Sequence, residues 1–90
     1  MARRIRAVSV EQLLTDAGHE FSNFDAQAAE WDPGVRVTQA GPRQVNVFWD
    51  GPGEADQLEV ITVELRGEGY HVVLSQQDRG GRRRLEVTRP

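Results

Sequence analysis

Guanidinium groups are the chemistry this chain holds in quantity. All eleven basic residues are arginine and none is lysine. Eight of them lie near the two ends, and seven of the eight fall in two clusters. Arg3, Arg4 and Arg6 stand at the start, and Arg79, Arg82, Arg83 and Arg84 stand in the run Asp78-Arg-Gly-Gly-Arg-Arg-Arg-Leu near the finish. The arginine fork matches phosphate and carboxylate in bidentate fashion. These seven are therefore the candidate anion or partner contacts. Codon bias in a GC-rich genome would also produce arginine-only usage, so the usage alone assigns no ligand. The absence of lysine excludes Schiff-base and amine-nucleophile chemistry.

Other reactive groups are sparse. His19 sits beside Gly18, and His71 sits in a β-like run; neither has metal ligands at a recognised spacing. Ser9, Ser22 and Ser75 lack the turn context of a nucleophile. The glycines of Gly51-Pro-Gly53 and Gly80-Gly81 read as turn residues, not a phosphate cradle. No cysteine is present, which excludes disulfides and thiol chemistry and points to the cytoplasm. The expectation is a non-enzyme with no cofactor and no metal.

Charge is divided unevenly along the chain. Residues 1–6 hold three arginines and no acid, and residues 79–90 hold five arginines and one acid. The span 7–78 holds three arginines against thirteen acids. An acidic body thus carries two basic ends, which is information about partners and not about fold. If the ends meet in space, they form one strongly basic patch.

The ninety residues suit one small domain. At 38% hydrophobic the chain is apolar enough to fold. No apolar run approaches the roughly 18 residues of a membrane span. The expected organisation is a basic arm over 1–8 followed by a single domain over 9–90. Ser9 and Gln12 form a capping box. Apolar residues at Val10, Leu14, Ala17, Phe21, Phe24, Ala28 and Trp31 then keep helical phase. This predicts one helix over 9–31, or two helices broken between 18 and 23, ended by Asp32-Pro33-Gly34. Such a stripe suits a helix packed on its own sheet better than a coiled coil.

Alternation over 35–39 and 44–50, with a turn at 40–43, predicts a β-hairpin. The segment 54–66 carries both signals: a helical stripe at Ala55, Leu58, Ile61 and Leu65, and a β-branched run at 60–63. Acids at its start, Arg66 near its end and Gly67 as a cap favour helix. Strands follow at 70–75 and 82–89, joined by a glycine turn at 78–81.

The fold class is therefore α+β, in the order αββαββ. Two helical regions pack on one face of a four-stranded antiparallel sheet. This is the connectivity of a ferredoxin-like sandwich with its first strand moved to the C-terminus, and it would make the last strand central. The sequence shows no supported internal repeat. Parity places Trp49 inside and Phe48 outside, and the helical stripe places Trp31 inside. The open sheet face would hold Arg36, Asn46, Phe48 and His71 as contact candidates, with Thr38, Val73, Arg84, Glu86 and Thr88 around them. An uncovered face with one aromatic and a net charge of −3 favours protein contact, homodimerisation being one form of it. The alternative is nucleic-acid binding through the arginine hairpin and the N-terminal arm.

Overall fold

The computed structural model describes residues 3–27, 29–76 and 82–90, with the backbone alone at 24, 25, 30 and 31. The elements are α1 (Ala7–Asp16), β1 (Phe24–Asp25), β2 (Glu30–Trp31), β3 (Gly34–Gly41), β4 (Gln44–Asp50), α2 (Glu54–Gly67), β5 (His71–Gln76) and β6 (Arg83–Thr88). Four strands form an antiparallel sheet in the order β3-β4-β6-β5. Both helices pack against it, α1 over β3 and α2 over β4, β5 and β6. The last strand is central, which is the order of a ferredoxin-like sandwich whose first strand follows its last.

Residues directly opposed in an antiparallel sheet share a face. The register pairs Val37 with Val47, Val47 with Leu85, Val45 with Val87, and Val87 with Val72. These valines and leucines turn toward the helices. There they meet Val10 and Leu14 of α1 and Leu58, Ile61 and Leu65 of α2, all but fully buried. The aromatic residues Phe21, Trp49 and Tyr70 stand at the margin of this aliphatic core. The Trp49 indole nitrogen donates to the Pro52 carbonyl at 2.9 Å.

The first helix is shorter than its apolar stripe. It opens at Ala7 with Arg6 as N-cap and no side-chain cap bond, so Ser9 lies inside it and the expected capping box is absent. It ends at Asp16 because Gly18 takes φ +91°. The Gly18 amide then donates to Thr15 O and the His19 amide to Leu14 O, which together close a Schellman motif. Neither one helix over 9–31 nor a second helix after 23 forms. The segment instead holds the short pair β1 and β2, with Phe24 opposite Trp31. Phe21 keeps its apolar character for a different reason: it bridges Val35 along the outer edge of β3. The Trp31 side chain and the turn at 78–81 lie outside the described residues.

The second helix forms where its charge pattern places it, with Glu54 and Asp56 in its first turn and Arg66 in its last. The β-branched Val60 and Val63 sit on its exposed side. Its terminating glycine is Gly69, at φ +91°, and not Gly67. The Gly69 and Tyr70 amides donate to Arg66 O and Leu65 O, repeating the motif that ends α1.

Within the stretch expected as a basic arm, Ile5 is buried in the core and Ala7 already belongs to α1. No helix among the described residues is long and apolar enough to cross a membrane.

Candidate functional site

The sheet face turned away from the helices is the surface the fold leaves uncovered. Pleat parity and the ladder register put Arg36, Thr38, Asn46, Phe48 and Asp50 on it from β3 and β4. Arg84, Glu86 and Thr88 come from β6, and His71, Val73 and Ser75 from β5. All four expected contacts, Arg36, Asn46, Phe48 and His71, therefore share one face.

They do not form one cluster. Asn46 is only 9% exposed, and its side-chain oxygen accepts from Gln44 Nε2 at 2.9 Å. His71 is exposed on the outer strand opposite Thr88, two strand spacings or about 10 Å from β4. Phe48 and Arg36 do meet. The Arg36 guanidinium lies 4.8 Å from the Phe48 ring centre, and that of Arg82 lies 5.8 Å away. A guanidinium over an aromatic face is attracted by the ring quadrupole, by about 0.5–1 kcal/mol at exposed sites.

Asp50 holds both arginines in place. Its carboxylate accepts from Arg36 Nε at 3.1 Å and lies 2.7 Å from Arg82 Nη2. Arg82 also donates to the Trp49 carbonyl at 2.8 Å and stands 3.9 Å from Glu54. Burial pushes the Asp50 carboxyl up. The Arg82 hydrogen bond and the charges of Arg36 and Arg82 outweigh it, leaving the group below its ordinary value. Sequence reasoning missed Asp50, taking it only as the start of the Asp50-Gly-Pro-Gly53 turn. The available signal was its parity with Asn46 and Phe48.

The other arginine candidates separate. Arg82 precedes β6 and joins the Phe48 cluster, while Arg84 pairs with Glu86 at 3.2 Å on the open face. Arg83 turns to the helix side, beside Arg66, Leu74 and Leu85. Arg79 lies outside the described residues. Arg3 bridges Arg89 past the other end of β6, about 20 Å along the strand from Arg83. The N-terminal arginines thus meet the final residues of the chain and not the start of the last strand.

His19 Nε2 contacts Glu64 Oε2 at 2.5 Å, tying the loop after α1 to α2. No group of three or more His, Cys, Asp or Glu side chains converges to hold a metal ion among the described residues. Comparison with protein-family models, with curated proteins and with solved structures finds no match to this chain.

Proposed function

We propose that this chain is a protein-binding module whose contact surface is the open sheet face, and that its partner is a second copy. The Phe48 cluster is the observation that carries this reading: an aromatic ring flanked by Arg36 and Arg82, themselves held by a nearly buried Asp50. Arginine is enriched among interface hot spots and phenylalanine at interfaces generally, and a held geometry reduces the ordering cost of association. The face also carries both signs, with Arg36, Arg82 and Arg84 against Asp50 and Glu86. The same patch can then meet itself across a two-fold axis without like charges opposing. Those acids also make the face a poor grip for a polyanion, and the guanidinium groups occupy the ring surface on which a base would stack. The reading needs no catalytic residue and no cofactor, and the cysteine-free composition supports a cytoplasmic setting.

Light scattering over a concentration series, with amide shifts followed by NMR, tests the proposal. A dimer is expected to form as concentration rises, with shift changes centred on Thr38, Phe48 and Val73. Phe48→Ala should weaken the association at least tenfold. A strict monomer into the millimolar range, or shifts confined to the helical face, would overturn it.

A further inference from the structure

A second charged surface lies at the end of the sheet, away from the Phe48 cluster. Three separate segments of chain are bolted together there. The Arg3 amide donates to Arg89 O at 3.3 Å, and Arg3 Nε donates to Pro90 O at 3.3 Å. The Ile5 amide donates to Pro42 O, in the turn between β3 and β4, at 3.1 Å. Gln39 clamps the same junction, its Oε1 accepting from the Ala7 amide at 2.7 Å. Its Nε2 donates to Ile5 O at 2.9 Å and to Gly41 O at 2.6 Å. These bonds gather Arg3, Arg4 and Arg6 with Arg43 of the turn and Arg89 of the C-terminus, all five exposed. Residues 3–6, 39–44 and 88–90 include no acid. The first turn of α1, which opens at this junction, has none either, so the positive helix end adds to the field.

We infer that this end of the molecule binds the phosphate backbone of nucleic acid, independently of sequence, through Arg3, Arg4, Arg6, Arg43 and Arg89. Arginine forks match phosphate oxygens. The positive groups are spread over an exposed surface, which suits a repeating polyanion better than one small phosphate, whose retention needs an enclosing pocket. An anionic bilayer fits less well. It would extend as a plane past the patch and meet Glu68, exposed at the end of α2 three residues before His71, which pairs with Thr88. A duplex can touch the end alone. The site differs from the arginine-hairpin grip expected from sequence, because Arg82 and Arg84 stand at the other end of β6, beside Asp50, Glu54 and Glu86.

The test is fluorescence anisotropy with a labelled 20-base-pair duplex and the matching single strand, from 50 to 200 mM salt. Three to four phosphate contacts predict a slope of log K against log salt of roughly −2.7 to −3.6 for the duplex. Arg43→Ala with Arg89→Ala should weaken binding at least tenfold at 50 mM salt and make the slope shallower by about two. Arg82→Ala with Arg84→Ala should leave it within twofold. Arg4→Glu, on the exposed arm, gives an independent reading should the double variant disturb folding, and it too should weaken binding at least tenfold. No binding at 50 mM salt would overturn the inference. So would equal losses in the two double variants, or binding to anionic phospholipid vesicles in place of nucleic acid.

Discussion

Asp50 ties two arginines to the open face. It accepts from Arg36 and Arg82 while only 11% of its side chain is exposed. Asp50→Asn keeps the shape but removes the charge that holds both guanidinium groups. Because each arginine is a third to a half exposed, the expected loss is of order 1 kcal/mol and not the larger value of a fully buried pair. The pH dependence follows from the direction of the shift. The folded carboxyl sits below its ordinary value, so its contribution is complete above the unfolded value of about 4 and is lost as pH falls through the folded one. Urea unfolding should show the wild type ahead of Asp50→Asn at pH 6, with the gap closing below about pH 4. A gap that stays constant down to pH 2 would show that the carboxylate charge is not the stabilising feature.

At the scale of elements, one outer edge of the sheet is covered by the chain itself. The edge of β3 is strapped by residues 20–22: the Ser22 amide donates to Val35 O and the Val35 amide to Glu20 O, both at 2.9 Å. This strap blunts an edge that would otherwise pair with another chain. Gly34 makes it fit, because a Cβ there would stand 2.7 Å from backbone atoms of Glu20, Phe21 and Ser22. Gly34→Ala should therefore cost about 3 kcal/mol, the scale of a severe backbone clash. The urea midpoint should fall, and hydrogen exchange at Ser22 and Val35 should quicken first. Gln39 does comparable work at the start of the chain. Gln39→Ala removes three hydrogen bonds at a cost of about 1–2 kcal/mol. It should also expose the Ala7 amide to exchange while leaving α2 protected. Unchanged protection at Ala7 would mean that the arm is held elsewhere.

At the scale of the whole molecule, charge is sorted by region. The helices 7–16 and 54–67 contain six acids and one arginine, while the junction of residues 3–6, 43 and 89 contains five arginines. The open face lies between these extremes. Phe48 stands five residues along the hairpin from Arg43, about 17 Å at the strand rise, and substitutions that distant usually add. Phe48→Ala is thus expected to weaken self-association without changing duplex affinity, and Arg43→Ala with Arg89→Ala to do the reverse. Combining all three in one chain should produce both losses and no further coupling, read by light scattering and anisotropy on the same samples. Cross-effects larger than twofold would mean that the surfaces overlap.

Local pattern was enough for the sheet and for α2. Alternation over 35–50 and 70–89 sets which side chains face the helices, because a strand has period two and one face must be buried. The same parity placed Arg36, Asn46, Phe48 and His71 on the open face without reference to any contact. Local pattern failed over 17–31. There an apolar spacing that continues the helical phase belongs instead to a glycine-ended helix, an edge strap and a short strand pair. Apolar residues needed against a sheet edge and those needed on a helix look alike in one dimension, and only packing separates them. Tertiary structure alone decided the electrostatics. It turned Asp50 toward two arginines from different parts of the chain, kept Arg3, Arg4 and Arg6 from Arg82 by the length of β6, and joined them to Arg43 and Arg89. Charge acts through space, and distance along the chain does not measure it.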